Sequence, residues 1–263
     1  RPLYEKTHKP SKKKRIVDFN QGIDSRLITP QNMSKLAEVN IYPLRIAFDH
    51  WKLHDIYEKS VRTAVNSGIR NLSNYLLYNF EDEPEELYYR LEMNVRLCEE
   101  LDASIYSFPM KYHPINDPEF FKNRDYIGKH WNRKFIRAVQ AVLNSTKGKI
   151  GRGKDFFEEA FGRDIDEFHK ILWMPETFII YRRQYDANLR ERLAERYTNH
   201  SDKDCDLTND WWEKFNALPP EKLERAKEII ALNKFKDGEY QCDDPEIEGV
   251  LWYYKTTRND AEK

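Results

Sequence analysis

Apolar residues in the N-terminal part of the chain fall in short β-branched or aromatic runs, separated by stretches of helical spacing. Four runs predict strands: RIVDF (Arg15–Phe19), PLRIAF (Pro43–Phe48), LSNYLLYNF (Leu72–Phe80) and SIYSFPMKY (Ser104–Tyr112). After the first, Thr29 is placed to cap a helix with Pro30 in its first turn, and Met33, Leu36 and Ala37 give it an apolar face. After the second, Ile56, Val61, Ala64 and Val65 keep helical spacing until Gly68. Leu87, Leu91 and Val95 recur at i+4 after Glu81-Asp82-Glu83-Pro84, whose carboxylates suit a helix N-terminus. The order β-α-β-α-β-α-β predicts parallel strands joined by right-handed crossovers. Ligands of such arrays sit at the carboxyl ends of the strands, which places Asn20-Gln21-Gly22-Ile23-Asp24, Asp49-His50 and Asn79 on the functional rim.

The texture changes after Pro114. Residues 124–144 predict one amphipathic helix with Ile127, Trp131, Phe135, Val139 and Val142 as its stripe. Residues 155–173 predict another, carrying Phe156, Phe157, Phe161, Phe168 and Leu172. Such aromatic stripes are core rather than cofactor boxes. From Arg182 a charged helical tail is expected, then a loop over Cys205–Trp212 and a helix over Pro220–Lys234. The predicted division is a lead-in over 1–14, a (β/α) unit over 15–118 and a mainly helical extension over 119–263.

Charge changes this picture little. Of 263 residues 34% are charged, but 44 basic and 45 acidic side chains leave a net charge of −1, so no global field favours nucleic acid or an anionic membrane. The basic run Lys12–Arg15 has no interleaved aromatics and reads as a solvated lead-in. Cys98, Cys205 and Cys242 form no C-x-x-C pair, so a reduced, cytoplasmic setting is the default expectation. No apolar run approaches the ~20 residues that span a bilayer.

Candidate chemistry is sparse. GKIGRGKD (Gly148–Asp155) has phosphate-loop spacing, but Asp155 stands where Ser or Thr would hold magnesium and the loop follows a helix, so a glycine-rich turn is the better reading. His50 and His54 are spaced for a shared metal, yet no Glu lies between them and no third ligand is evident. No G-x-S-x-G elbow occurs.

Taken together, VDFNQGIDSRLITPQNMSKLAEV, PLRIAFDHWKLHDIYEKSVRTAVNSGI and NYLLYNFEDEPEELYYRLEMNVRLCEELDASIYSFPMKYHPI resemble the latter part of a radical S-adenosylmethionine (SAM) barrel. The resemblance implies that the four runs are the third to sixth strands of a partial (β/α) barrel, followed by a C-terminal extension. It implies SAM contacts from Asn20, Gln21, Asp24, Arg26, Asp49, His50 and Asn79, and substrate contacts from Lys111, Tyr112 and His113. The family's C-x-x-x-C-x-x-C loop, which ligates a [4Fe–4S] cluster, is absent, so the resemblance implies that the cluster and the first two strands belong to a missing N-terminal barrel portion or to a chain supplying it. This chain alone would then be inactive. A second cofactor such as cobalamin has no residues speaking for it, and nucleic acid is unsupported as a partner. The rival readings are a non-catalytic scaffold and a non-radical (β/α) enzyme using Asp24, Asp49 and His50.

Overall fold

Three parallel strands, β1 (Leu44–Arg45), β2 (Asn71–Tyr78) and β3 (Ser104–Lys111), lie in the order β1-β2-β3, with Leu44 paired to Leu72 and Asn71 to Ser104. They come from a computed structural model that describes residues 15–119, 125–146, 153–181, 207–236 and 238–255. The fold is mixed α/β and dominated by helices. The lead-in over 1–14, residues 148–152 of the glycine-rich turn, the charged tail from Arg182 and Cys205 lie outside the described residues.

The crossovers form where periodicity and caps place them. Helix α1 (Pro30–Ala37) opens with a capping box: Thr29 Oγ1 accepts from the Asn32 amide and Asn32 Oδ1 accepts from the Thr29 amide. It buries Met33, whereas Ala37, expected on the apolar face, is exposed at the helix end. Helix α2 (His54–Asn66) buries Tyr57, Val61, Ala64 and Val65 and leaves Ile56 at its surface. Helix α3 (Pro84–Leu101) buries Leu87, Leu91 and Val95 and ends at Asp102 in the left-handed conformation, with φ of 47°.

The first predicted strand takes a different form. Arg15–Phe19 makes only an isolated parallel bridge, Val17 to Ile41, followed by a second at Ile23 to Ile46. The bridges are six positions apart on the first segment and five on the second, so the first carries a one-residue bulge. Its apolar side chains Ile16, Val17 and Phe19 are 58%, 38% and 45% exposed. Among the described residues its backbone pairs inward only at Val17, with the Asn40 carbonyl and the Tyr42 amide, so no regular ladder forms.

Three expectations in the extension are corrected. The helix predicted over 124–144 begins only at α4 (Arg133–Ser145), where Asn132 Oδ1 caps the Phe135 amide; residues 125–132 are non-helical, and Ile127 is exposed. The helix predicted over 155–173 is two, α5 (Lys154–Phe161) and α6 (Ile165–Trp173), broken by Gly162 at φ of 99° and restarted by the Asp164 cap on the Glu167 amide. Trp211 and Trp212, expected in a loop, lie on α8 (Leu207–Ala217), which follows α7 (Glu176–Tyr181). Helices α9 (Pro220–Leu232) and α10 (Pro245–Leu251) complete the described chain.

Alternation sorts the sheet into two unlike faces. Leu72, Asn74, Leu76 and Tyr78, with Ile105 and Ser107, are buried, and this face meets the helices: Tyr57 of α2 donates to Asn94 Oδ1 of α3, Asn74 Nδ2 donates to the Tyr57 hydroxyl, and Asn94 Nδ2 donates to Ser107 Oγ. The extension joins the same core, since Tyr88 of α3 packs on Phe157 and Phe168. The opposite face carries Arg45, Tyr75, Leu77, Phe108 and Met110 and stays partly open.

Candidate functional site at the carboxyl ends of the strands

The strand ends are held by a residue absent from the sequence-based candidates. Arg90 lies in the apolar stripe of α3 between Leu87, Leu91 and Asn94 and is fully buried. Its guanidinium donates to the carbonyls of Phe48 and Asp49 after β1, to Leu77 in β2 and to Glu86 on its own helix, and stands 3.5 Å from Asp82 Oδ2. One side chain thus fastens the ends of two adjacent strands. The signal available in sequence was a charged residue at a core position of an amphipathic helix, where burial requires partners for every donor.

Asn79 ends β2 with φ of 69°, a conformation asparagine tolerates better than most residues. Its Nδ2 donates to the Tyr112 and Tyr126 carbonyls, and its Oδ1 accepts from the Gly128 amide at 2.9 Å. The side chain expected to face a cofactor therefore ties the β2 turn to the end of β3 and to the segment before α4. Asp82 Oδ1 accepts from the Phe80 amide, and Trp131 Nε1 donates to the Asp82 carbonyl. Gly128 is required by this junction: a Cβ there would lie 2.4 Å from the Phe80 oxygen and 2.6 Å from the Asn79 carbonyl carbon. Gly128→Ala is expected to lower stability by about 3 kcal/mol, at the upper end of overpacking costs, because backbone rather than a mobile side chain opposes it; a urea unfolding midpoint equal to the parent's would refute this.

Asp24 and Arg26 are likewise engaged locally. Asp24 caps a 3-10 turn over Ser25–Leu27 and accepts from the Arg26 guanidinium, whose hydrogen bonds hold its carboxyl at about 2. Asn20 and Gln21 are exposed in the bulged segment. Asp49 has an exposed side chain above a carbonyl anchored by Arg90, and half-buried His50 precedes the 3-10 turn Trp51–Leu53. His54 does not join His50 in a metal pair: its ring stacks on Trp51, its Nδ1 lies 2.9 Å from the Trp51 carbonyl and its Nε2 meets Asp55.

At the end of β3, Lys111 and His113 are half-buried, and the Tyr112 ring packs between Phe80 and Tyr126. The rim thus combines an aromatic cluster over β2 and β3 with polar groups over β1 and the bulged segment. Next to it, the open sheet face has Arg45 over the Tyr75 ring at 5.5 Å, paired with Asp18 at 3.0 Å and bonded to Ser73. Tyr75 meets Phe108 with ring centroids 5.8 Å apart.

A groove of about 420 Å³ lies elsewhere, over the outer side of α3 and against α5, between Trp51, Tyr89, Met93 and Phe157. Glu92, Glu99 and Glu158 balance Arg96, Lys154 and Arg163 around it, so its charge selects no ligand class. Among the described residues no group of three His, Cys, Asp or Glu side chains is arranged to hold a metal. Cys98 is buried in α3 and its Sγ accepts from the Ile105 amide, while Cys242 is far along the chain, so these thiols do not suit a cluster. No helix among the described residues is long and apolar enough to cross a membrane. Comparison of the chain with protein-family models, with curated proteins and with solved structures returns no match.

Proposed function

We propose that this chain is the C-terminal part of a radical SAM enzyme, supplying SAM- and substrate-facing surface to radical chemistry whose [4Fe–4S] cluster is held outside it. The observation that carries this reading is the sheet order. Parallel strands that advance in one direction, joined by right-handed crossovers, have their helices on one side, as in an arc of a (β/α) barrel or in one half of a doubly wound sheet. In the barrel reading, the face opposite α2 and α3, which carries Arg45, Tyr75, Phe108 and Met110, would be the interior.

Within that reading, Asn20, Gln21, Asp49 and His50 are the side chains with capacity to meet SAM, while Asn79, Asp24 and Arg26 support the rim through bonds inside the protein. Lys111, Tyr112 and His113 would face the substrate. Bound SAM would supply the 5′-deoxyadenosyl group for hydrogen abstraction, and this chain's residues would orient it. In the rival acid–base enzyme Asp24 would have to give up the Arg26 guanidinium, whose hydrogen bonds hold its carboxyl down at about 2.

The test is anaerobic reconstitution, with iron and sulfide, of the longest natural product of the gene. We expect reductant-dependent cleavage of SAM to 5′-deoxyadenosine, and at least tenfold weaker SAM binding in Asp49→Ala with an unchanged unfolding midpoint. A reconstituted protein that neither binds nor cleaves SAM overturns the proposal and leaves the scaffold reading.

A further inference from the structure

The net charge of the groove between α3 and α5 selects no ligand, but the pairing of its charges does. Each cation along it is already engaged: Arg96 with Glu58 at 2.6 Å and Glu100 at 2.8 Å, Lys154 with Glu158 at 3.5 Å, and Arg163 with Glu167. Glu92 and Glu99 line the same groove, are exposed, and have no ion-pair or hydrogen-bond partner among the described residues. An anion would have to draw a guanidinium or ammonium away from its carboxylate, whereas a cation meets carboxylates that are free.

The field beneath the groove has the matching sign. Burial raises the Tyr88 hydroxyl above the ordinary tyrosine range, and Glu92, Asp164, Glu158 and Glu167 push it further, with no cation acting against them. Tyr88 packs on Phe157, which forms part of the groove wall, with ring centroids 5.2 Å apart.

The lining suits a cation that carries apolar substituents. Tyr89, Glu92, Met93 and Glu99 recur on one face of α3. Trp51 stands beside that face, its ring 5.5 Å from the Tyr89 ring and inclined at 39°, and the His54 imidazole stacks on it at 4.7 Å. Both Trp51 and Tyr89 are only half-buried and keep ring surface for a ligand. Aromatic faces attract an organic cation through their quadrupole, most strongly when it is partly desolvated, and Met93 adds a polarisable apolar contact. A volume of about 420 Å³ falls within the range of small-molecule sites.

We propose that this groove binds a small organic cation bearing an alkylated ammonium group, held against Trp51 and Tyr89 and balanced by Glu92. The proposal does not rest on the radical reading, because the groove lies apart from the side chains assigned to SAM.

Choline is titrated into the full chain and followed at the indole N–H of Trp51, in parallel with its isostere carrying a neutral tert-butyl group in place of trimethylammonium. Saturable choline binding is expected, with the neutral isostere about tenfold weaker. Glu92→Gln should weaken choline about tenfold at an unchanged unfolding midpoint, since its side chain is exposed and unpaired. Lys154→Gln, which frees Glu158, should bind choline at least as well as the parent, and Glu221→Gln on α9 should not alter binding. No saturable binding, equal binding of the neutral isostere, full affinity in Glu92→Gln, loss of binding in Lys154→Gln, or displacement of choline by inorganic phosphate overturns the inference. Choline binding in a protein that neither binds nor cleaves SAM keeps the groove site and removes the radical reading.

Discussion

Replacing Lys134 by methionine is expected to stabilise the protein by about 4 to 5 kcal/mol below pH 7, a gain that shrinks as pH rises and is nearly gone by pH 10.5. Lys134 sits in the first turn of α4 with its side chain fully buried, and its amine has no hydrogen-bond partner among the described residues. Burial holds the amine down from 10.5 to about 7, opposed by Glu176 on α7 and assisted by Arg137 one turn along. Between pH 7 and 10.5 the unfolded chain carries a proton on this lysine that the folded chain lacks, so stability rises with pH through that window. Below pH 7 both states are protonated and the full cost of the buried charge is present. A shift of about 3.5 pH units at about 1.4 kcal/mol each gives the stated magnitude. Methionine keeps most of the aliphatic stem and removes the charge. Urea unfolding of the parent and Lys134→Met at pH 6, 8 and 10 checks this; two stability profiles that run parallel would show that the amine is solvated or paired in solution.

The second large effect has the opposite sign. Arg90→Met is expected to destabilise the protein by about 3 to 5 kcal/mol, the range for removing one partner from a buried charged network. The loss would not be a single bond. The Phe48, Asp49 and Leu77 carbonyls all lose their guanidinium donor, and Asp82, whose carboxyl burial already pushes upward, loses its neighbouring cation. Arg90→Lys should rescue little, since one ammonium does not span carbonyls from two strands and a helix. The rim should also loosen, so exchange at Phe48–His50 and Asn79–Asp82 would accelerate more than exchange in α9. A midpoint within about 0.5 kcal/mol of the parent would mean that water replaces the guanidinium without cost.

Arg90 and Lys134 show where reading the sequence stopped. Both occupy core-facing positions of amphipathic helices, and periodicity alone marks such residues as anomalies without supplying partners. The partners of Arg90 lie up to 42 residues away, on backbone carbonyls that carry no sequence signature. Gly128 was equally silent: an ordinary glycine in an expected helix became the contact point for the β2 turn. The expected helices failed at their starts and breaks for the same reason. Residues 125–132 have helical spacing, but their backbone is held against Asn79 and Phe80, and those long-range bonds outweigh local propensity.

Local chemistry, by contrast, was legible. The Thr29 cap with Pro30, the acidic start of α3, the runs that became β2 and β3, and the parallel connection of the strands all follow from interactions within a few residues or from the geometry of one crossover. The tertiary structure decided which polar side chains at the strand ends remain for a ligand. Asn79, Asp24 and Arg26 carry the residue types a binding rim needs, yet the fold uses them internally, whereas Asp49 stays exposed and His50 half-buried. The fold likewise decided that Arg15–Phe19, with strand propensity equal to its neighbours, does not become a full strand. Propensity belongs to a residue, but a strand exists only when a neighbouring segment meets its hydrogen bonds along its length, and among the described residues the inner neighbour meets the backbone of this one only at Val17, through Asn40 and Tyr42.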